Sequence, residues 1–395
     1  MYINSKSQVK EIIDQVSEDY CIHISKRLES LRLLSKSLSK FSIKLRSNEL
    51  LALVRFINEA IDQSEEWFQR AQKMVLPRGS VIHIPSSNIT LMAIYSWLPS
   101  YIAGNMNYIR LSRRIDEEYI KNIITEIDLA IGVDESRRQI FYSGKVEDEI
   151  TAITSKVADA RIIWGDNETI NMIKSKYPTN ASIEINFKTR YSASLIDSQF
   201  YLNSDEDSKE RLSRQYMNDS LLLSFNACSS PHYTFWLGSD SINIKAQKDF
   251  ICKLKKLTSM QDLATGAITT DNIRKLQTSA AIDNLDDKVL DIIRGKGVIK
   301  VSSKRNKRLR EDLLKGFIYY IDAKDMNELS NIFPHSIQTL TYIGIIDSKL
   351  INQFLESLGE RAPDRFVPTG EGLKFSLCWD GQNFLESLTR KVCVT

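Results

Sequence analysis

Cysteine, proline and glycine are all scarce: the chain has 395 residues but only 5 Cys, 8 Pro and 15 Gly. The cysteine count is odd and no two cysteines are spaced as CxxC, which argues against a disulfide framework or a zinc site and favours a reducing, cytoplasmic location. The 4 histidines show no HxxxH or His/carboxylate spacing, so we expect no bound metal. The low proline and glycine content excludes a fibrous or low-complexity chain.

A strong net charge is also missing. Lys and Arg together number 53 and Asp and Glu number 50, for a net charge of +3, which argues against a dedicated nucleic-acid binder. The opening segment MYINSKSQVK has neither the apolar core nor the cleavage pattern of a secretory signal. Hydrophobic residues make up 42% of the chain, enough for a sizeable core. The length suits two domains, because a domain typically has about 150 residues.

Charged residues are absent from Gly79 to Ile109. A run of this length suggests a membrane span. However, it is interrupted by polar residues and prolines, namely His83, Pro85, Ser86, Ser87, Asn88, Pro99, Asn105 and Asn107. We therefore expect no membrane span and interpret the run as a buried β–α–β unit.

The chain changes pattern at residue 80. Residues 1–75 have apolar positions at helical spacing, and short β-branched runs then alternate with amphipathic segments. The predicted strands are 80–84, 107–112, 138–143, 160–165, 181–187, 232–237, 298–303, 316–322 and 338–346, and the predicted helices are 89–103, 116–130, 146–157, 167–176, 246–257, 325–332 and 348–357. A polar, acidic stretch at 203–212 marks a boundary. This alternation is typical of an α/β fold with a mostly parallel sheet, in which ligands bind at the carboxyl ends of the strands.

Cys228 is the candidate nucleophile. It lies in FNACSSPH (225–232), after an apolar segment and before a Ser-Pro pair that starts either a helix or a tight turn. Oriented backbone N–H groups at such a place lower the pKa of a thiol and make the thiolate available. The alternative is a small buried core residue, which is our interpretation of the other cysteines, Cys21, Cys252, Cys378 and Cys393.

Asn88 follows a predicted strand, in HIPSSNIT (83–90). One interpretation is a cap of the helix that begins there. The other is a side-chain amide that donates a hydrogen bond to a developing oxyanion. The residues alone leave both open.

Basic residues end the second core strand, in AGNMNYIRLSRR (103–114). Arg110, Arg113 and Arg114 are placed to bind the ribose and phosphate groups of a dinucleotide, and the alternative is a charged, solvated turn. The GxGxxG fingerprint is absent. A second basic run, at 304–310, is interpreted as a solvated loop, with a phosphorylated ligand or an acidic partner protein as the alternative.

Several of these segments stand in the order of one known family. ACSSP (227–231) resembles the segment around the acyl-accepting cysteine of the bacterial acyl-CoA reductases, typified by the fatty-acyl reductase of bioluminescence systems (LuxC), a divergent branch of the aldehyde dehydrogenase superfamily. Four further segments resemble motifs of the same family and occur in the same order: HIPSSN with AGNMNYIRLS, ADARIIWGDNETI (158–170), IQTLTYIG (337–344) and RFVPTGEG…WDGQ (365–382). The resemblance runs from about residue 80 to the end of the chain.

The resemblance implies an α/β fold of the aldehyde-dehydrogenase type, with a Rossmann-type coenzyme domain and an α/β catalytic domain. We expect an N-terminal helical segment (1–75) that packs on the dinucleotide-binding domain (76–212). A catalytic domain (213–365) that carries the cysteine and a C-terminal segment (366–395) would follow.

The resemblance also implies roles for single residues. Cys228 would be the nucleophile, and Asn88 and the backbone N–H of Cys228 would be the oxyanion donors. The implied coenzyme residues are Arg110 for the ribose or its phosphate, Gly165 and Asp166 for the coenzyme phosphates, and Gln338 and Thr339 near the nicotinamide ribose. Arg113 is a further coenzyme candidate because of its position in the basic cluster. Asn226 stands where the superfamily usually has Gln, and Glu184 is the best candidate for a general base.

The implied reaction is the NADPH-dependent reduction of an acyl-CoA or another acyl thioester to an aldehyde, through a cysteine acyl-enzyme. NADPH is expected rather than NADH because residues 103–115 contain no Asp or Glu that would repel a 2′-phosphate. An acyl-ligase protein partner and a homo-oligomer are also expected. Two alternatives remain: an aldehyde-oxidising dehydrogenase, which needs a water-activating base, and a non-catalytic acyl-carrying subunit of a ligase complex, which needs no dinucleotide.

Overall fold

The computed structural model describes most of the chain, in two compact units: Met1–Thr189 with Lys374–Thr395 (the first unit), and Arg190–Leu373 (the second unit). The described residues are 1–3, 8, 11, 23–71, 75–87, 89–113, 115–145, 148–179, 181–188, 190–221, 227–259, 288–293, 298–302, 317–335, 337–345 and 347–393. Five features of the sequence lie outside them: Cys21, Asn88, Arg114, Asn226 and the basic run 304–310.

The strands of the described residues are β1 (Tyr2–Ile3), β2 (Val75–Pro77), β3 (Ser80–Ile84), β4 (Met106–Leu111), β5 (Gln139–Ser143), β6 (Ala160–Gly165), β7 (Ile183–Lys188), β8 (Tyr191–Asp197), β9 (Pro231–Leu237), β10 (Lys288–Ile293), β11 (Val298–Ser302), β12 (Phe317–Ala323), β13 (Ile337–Ile343), β14 (Arg365–Pro368), β15 (Cys378–Trp379), β16 (Gln382–Asn383) and β17 (Thr389–Lys391). The helices are α1 (Ile24–Leu45), α2 (Asn48–Arg70), α3 (Met92–Ala103), α4 (Glu117–Ile131), α5 (Val133–Ser136), α6 (Glu149–Val157), α7 (Asn167–Lys176), α8 (Ser198–Asn203), α9 (Glu206–Leu221), α10 (Asp240–Ser259), α11 (Met326–Ile332), α12 (Ser348–Leu358) and α13 (Phe384–Leu388).

The first unit is built on a parallel sheet with the strand order β1-β5-β4-β3-β6-β7. From β3 the chain proceeds to β4 and β5 on one side, and it returns to β6 and β7 on the other. The strand order therefore reverses between β3 and β6. In open parallel sheets the carboxyl end of this switch point is where ligands bind.

The uncharged stretch 79–109 forms the centre of this unit, as β3, α3 and β4, and nearly all of it is buried. Two of the polar residues that interrupt it, His83 and Asn107, are hydrogen-bonded to each other and to neighbouring side chains. His83 contacts Ser96 Oγ through Nδ1 at 2.9 Å and Asn107 Oδ1 through Nε2 at 2.8 Å, and Asn107 Nδ2 donates to Gln139 Oε1 at 2.7 Å. Burial lowers the pKa of His83 to about 4, so this imidazole is neutral at physiological pH.

The expected β–α–β unit is thus present. Among the helices that the structure describes, none is both long and apolar enough to cross a membrane.

Both ends of the chain complete the first unit. The N-terminal helices attach to the sheet domain through polar contacts: Arg27 Nε donates to Ile102 O at 3.1 Å, and Leu91 N donates to Glu49 Oε1 at 3.1 Å. The returning C-terminal segment pairs β17 with β2 in antiparallel fashion. Phe375, Trp379 and Phe384 of that segment lie in an aromatic cluster with Trp164, Phe187, Phe56 and Tyr95.

The second unit contains the sheet β10-β11-β12-β9-β8-β13-β14, in which β10 alone is antiparallel among the described strands. Alternate residues of β9 pack on opposite faces. Trp236 lies in a cluster with Phe250 and Tyr216 on the α9–α10 side, and Phe235 lies in a cluster with Phe333 and Leu340 on the other side. Helices on both faces of a parallel sheet are the arrangement that the alternation predicted.

The boundaries of the two units differ from the predicted domain boundaries. The chain changes unit at 189/190 rather than at 212/213, because β8 pairs with β9 and β13 of the second sheet. The acidic stretch 203–212 is not a linker but the end of α8 and the start of α9. The predicted C-terminal segment 366–395 is shared, because residues from Lys374 onward belong to the first unit.

Candidate active site

Cys228 lies in a tight turn at residues 227–230, closed by a hydrogen bond of 3.0 Å from Ser230 N to Ala227 O. The chain then enters β9 at Pro231, so the Ser-Pro pair begins a strand rather than a helix. Ala227, Ser229 and Ser230 are buried, whereas Cys228 is partly exposed. The turn therefore presents the cysteine and buries its neighbours. The other described cysteines, Cys252, Cys378 and Cys393, are all exposed, so their interpretation as buried core residues is wrong.

Ser192 connects the cysteine turn to β13. Its Oγ donates to Cys228 O at 2.7 Å and accepts from Thr339 N at 3.2 Å. Ser192 is the second residue of β8, Thr339 is the third of β13, and Cys228 precedes β9. Because these strands are parallel neighbours, the cysteine lies at the amino edge of the second sheet. The candidate nucleophile therefore lies at the edge opposite to the carboxyl ends of the strands, where ligands of such sheets usually bind.

Gln338 and Thr339 are both buried in β13, and Thr339 is joined to Cys228 through one side chain. Thr339 also faces Arg365, its register partner on β14. Arg365 Nη1 lies 3.4 Å from Thr339 Oγ1 and donates to Gly372 O at 3.1 Å. The structure therefore brings the two predicted segments IQTLTYIG and RFVPTGEG together beside the cysteine turn.

Arg110 lies at the carboxyl end of β4, but its guanidinium is buried and contacts backbone. Nη2 donates to Pro85 O at 2.7 Å and Nη1 donates to Gly144 O at 3.1 Å. It thus joins the loops that follow β3 and β5. Burial lowers the pKa of Arg110. Among the described residues, no carboxylate pairs with it and its Nε–H has no hydrogen-bond partner.

The other predicted coenzyme residues of the first unit lie at the same edge of its sheet. Arg113 is exposed, and its nearest ion-pair contact is Asp148 at 3.8 Å. Asp166 caps α7 by accepting a hydrogen bond of 2.6 Å from Thr169 N, which lowers the pKa of that carboxyl. Gly165 packs so closely on Thr169 that a Cβ there would approach its side chain to 3.3 Å. This strand-to-helix turn is at the switch point beside β3.

Glu184 lies on β7, the edge strand of the first sheet, between two cations. Its carboxylate accepts a hydrogen bond from Arg161 Nε at 2.7 Å and forms an ion pair with Lys174 Nζ at 2.6 Å. Burial acts to raise the pKa of Glu184, but the hydrogen bonds from Lys174 and Arg161 outweigh it, and the pKa lies below its ordinary value. A general base is usually tuned toward the operating pH, whereas these contacts act on the pKa of Glu184 in the opposite direction.

A comparison of the sequence with models of protein families shows to which family the chain belongs. A model of the family described as acyl-CoA reductase (LuxC) matches residues 7–391, nearly the whole chain. The chain belongs to the acyl-CoA reductase (LuxC) family. The suspected family is therefore confirmed, and with it the assignment of the chain as an enzyme of the aldehyde-forming reductase class. No curated protein matches this reductase in sequence.

Solved structures with similar folds are aldehyde dehydrogenases. The glyceraldehyde-3-phosphate dehydrogenase GapN from Methanocaldococcus jannaschii, complexed with NADP, has a TM-score of 0.70 and 14% identity, over 98% of this chain and 93% of that chain. A lactaldehyde dehydrogenase has a TM-score of 0.70 and 12% identity, over 98% and 91%. KauB from Pseudomonas aeruginosa has a TM-score of 0.70 and 11% identity, over 97% and 88%. These similarities confirm the predicted aldehyde-dehydrogenase-like fold of the reductase.

Two residues beside the cysteine turn of this reductase were not singled out from the sequence. Arg365 stands inside a motif that carried the resemblance, so a signal for it existed. Ser192 had none, because a serine in YSASLID has no distinguishing pattern. Strand β8 itself was missed, since its small polar residues dilute the alternation that marks a strand.

Replacing Glu184 with Gln should lower stability without lowering reductase turnover. The variant deprives the buried Arg161 of its charged partner, and a hydrogen bond to a charged group contributes about 1.5–3 kcal/mol. The lowered pKa means that this stabilisation is present above the ordinary value of 4.5 and is lost as the pH falls through the lowered value. Urea unfolding at neutral and at acid pH measures both effects.

The matched control is Glu118→Gln, an exposed carboxylate in the first turn of α4. It should change neither stability nor turnover. If the Glu184→Gln variant instead kept its stability and no longer hydrolysed a cysteine-bound acyl group, Glu184 would be the general base that the resemblance implies.

Proposed function

We propose that this acyl-CoA reductase uses NADPH to reduce an acyl thioester to an aldehyde through a covalent acyl group on Cys228. The observation that carries the proposal is the cysteine turn: a partly exposed cysteine between buried neighbours, with its carbonyl fixed by Ser192. A nucleophile needs an exposed sulfur on a fixed backbone. The family membership supplies the class of substrate.

The first step is acyl transfer. The thiolate of Cys228 attacks the carbonyl carbon of the acyl thioester, a new C–S bond forms, and the C–S bond to the carrier breaks, so that the carrier leaves as a thiolate and takes a proton. The backbone N–H of Cys228 and the amide of Asn88 would hold the oxyanion. The acyl group is then held by the enzyme as a thioester, and no water is consumed.

The second step is reduction. The coenzyme, when bound, supplies a hydride to the acyl carbon. The Cys228 C–S bond then breaks as the oxyanion collapses to an aldehyde, and the thiolate is regenerated. No general base that activates water is required, which agrees with the ion-paired state of Glu184. The same feature weighs against an aldehyde-oxidising dehydrogenase.

The carboxyl edge of the first sheet fits a dinucleotide. The switch point between β3 and β6, the turn at Gly165 and the start of α7 together form the kind of place where helix N-termini meet coenzyme phosphates. The buried, unpaired charge of Arg110 adds positive potential at this edge. The carboxylate of Asp166 already accepts a hydrogen bond from Thr169 N. Asp166 would therefore contact the coenzyme phosphates through its backbone.

Incubation with a panel of acyl-CoAs and NADPH tests this function. The absorbance of the reduced coenzyme should fall only with suitable acyl chains, and a hydrazine should trap one aldehyde for each coenzyme oxidised. Absence of coenzyme oxidation across chain lengths, with acyl groups still bound to the protein, would favour the non-catalytic acyl carrier instead.

Arg113, rather than Arg110, should set the preference for NADPH over NADH. Arg113 is exposed at the carboxyl edge, whereas the Nη atoms of Arg110 donate to two backbone carbonyls. A charge-assisted hydrogen bond to phosphate contributes about 1.5–3 kcal/mol, so Arg113→Ala should reduce the preference roughly tenfold to a hundredfold. The measurement is kcat/KM with each coenzyme.

Arg110→Ala is the companion variant. It should weaken the use of both coenzymes equally, because it loosens the loops that follow β3 and β5. Equal use of NADH and NADPH by the wild type, or a preference that Arg113→Ala leaves unchanged, would show that these arginines form only a charged turn.

A further inference from the structure

Asp219 is a buried carboxylate near the end of α9, and only 1% of its surface is exposed. Oδ2 accepts a hydrogen bond from Gly370 N at 2.6 Å, and Oδ1 accepts one from Gly372 N at 3.0 Å. Both oxygens therefore hold the same turn, residues 370–372. The fit is close: a Cβ on Gly372 would lie 3.0 Å from Asp219 Cγ and 3.1 Å from Thr341 Cγ2.

A continuous series of contacts leads from this turn to the cysteine, all within the second unit. Gly372 O accepts from Arg365 Nη1 at 3.1 Å, and the same Nη1 lies 3.4 Å from Thr339 Oγ1. Thr339 N donates to Ser192 Oγ at 3.2 Å, and Ser192 Oγ donates to Cys228 O at 2.7 Å. Each contact fixes the next group in the series.

The electrostatics of Asp219 are unusual for a structural residue. Among the described residues no cation forms an ion pair with it, and Glu371 on the same turn and Tyr216 on the same helix are the titratable groups that interact with it electrostatically. Arg365 binds the turn from β14 through carbonyls. Burial raises the pKa of Asp219 to about 7, although the backbone N–H groups of Gly370, Gly372 and Leu373 act to lower it. A buried carboxylate without a cation costs stability, and strongly shifted pKa values cluster at functional sites.

We propose that Asp219 is a positioning residue for Cys228. By fixing the 370–372 turn it fixes Arg365, Thr339 and Ser192 in sequence, and so it holds the carbonyl of Cys228 and the orientation of the cysteine turn. The inference rests on the proposed function, in which Cys228 accepts the acyl group. A displacement of about 1 Å in such a group costs roughly 10²-fold in rate.

Asp219→Asn tests the proposal, because it keeps the size of the side chain but presents an NH₂ group to one of the two N–H donors. The rate of Cys228 acylation in a single turnover should fall roughly 10²-fold, while the acyl-CoA concentration at half-saturation stays within about threefold. The wild-type rate should show an inflection near the pKa of Asp219, about 7, which the variant lacks. Glu210→Gln, on the same helix but with a partly exposed side chain that pairs with Arg214, is the control and should acylate as wild type does.

Combining Asp219→Asn with Arg365→Lys examines the series of contacts. If both residues act through one path, the double variant should be little slower than the slower single variant. The proposal would be overturned if the rate losses of the two single variants multiplied in the double variant. It would also be overturned if Asp219→Asn were acylated at a rate within about threefold of wild type. Where Asp219→Asn does not fold, Ser192→Ala cuts the series next to Cys228 and should show the same loss, and normal acylation by Ser192→Ala would equally overturn it.

Alkylation of Cys228 by iodoacetamide, followed by mass spectrometry, separates this proposal from the proposed function. It should also slow in Asp219→Asn, since the reagent reports on the cysteine turn without acyl transfer. An unchanged alkylation rate would contradict the positioning role even if Cys228 proved not to accept acyl groups.

Discussion

Replacing Cys228 with Ser should reduce acyl-enzyme formation by roughly 10⁴-fold or more, because a hydroxyl without a dedicated base is a far poorer nucleophile than a thiolate. Incubation with a radiolabelled acyl-CoA, followed by precipitation of the protein, measures the bound acyl group. Overall aldehyde formation should fall by the same factor, because reduction acts on the enzyme-bound acyl group.

The matched control is Cys252→Ser, an exposed cysteine on α10. It should label and turn over as the wild type does. Stable labelling of Cys228→Ser, or labelling that disappears only when Cys252 is changed, would place the acyl group elsewhere and remove the basis of the mechanism.

Replacing Asn88 with Ala should lower turnover roughly 10²–10³-fold if its amide donates to the oxyanion, with acyl-CoA binding nearly unchanged. Helix α3 begins at Met92 with Leu91 as its N-cap residue, so the predicted helix start at residue 89 is wrong. If Asn88 has only a structural role, the variant should instead lose about 1 kcal/mol of stability and keep near-normal turnover. Kinetics beside thermal melts separate the two roles. Asn48→Ala, at the start of α2 and exposed, is the control for an asparagine at a helix start without a proposed role in catalysis or binding.

The first unit was largely predictable from the sequence. Strands 80–84 and 160–165 and the helix 167–176 have the predicted bounds, because buried parallel strands are continuous apolar runs and Asp166 marks the start of a helix. The uncharged stretch was interpreted correctly for the same reason: its polar residues needed partners, and a folded core supplies them.

The second unit was less predictable. The start of α9 is acidic enough to resemble a linker, yet further along the same helix Tyr216 and Met217 are buried. A charged outer face conceals such a helix when the apolar face is short. The boundary at 189/190 has no local signal, since it depends on which sheet β8 joins, and that pairing is a long-range property of the chain.

The candidate site was also predictable only in part, because long-range contacts are not visible in the sequence. Motif resemblance led to Cys228, Gln338 and Thr339, which are brought together in the second unit. It did not show that Arg110 is buried and contacts backbone, or that Glu184 is ion-paired, because burial and hydrogen-bond partners depend on segments far away in sequence. Asp219 lay in the predicted catalytic domain without a motif, and only its contacts with Gly370 and Gly372 distinguish it.

The most direct test of the central claim is the intact mass of the protein after incubation with an acyl-CoA in the absence of coenzyme. The proposed mechanism predicts a mass increase of one acyl group, located on Cys228 by peptide mapping, which NADPH then removes with release of one equivalent of aldehyde. An unmodified mass with every acyl-CoA that supports coenzyme oxidation, or an acyl group on another residue, would contradict it.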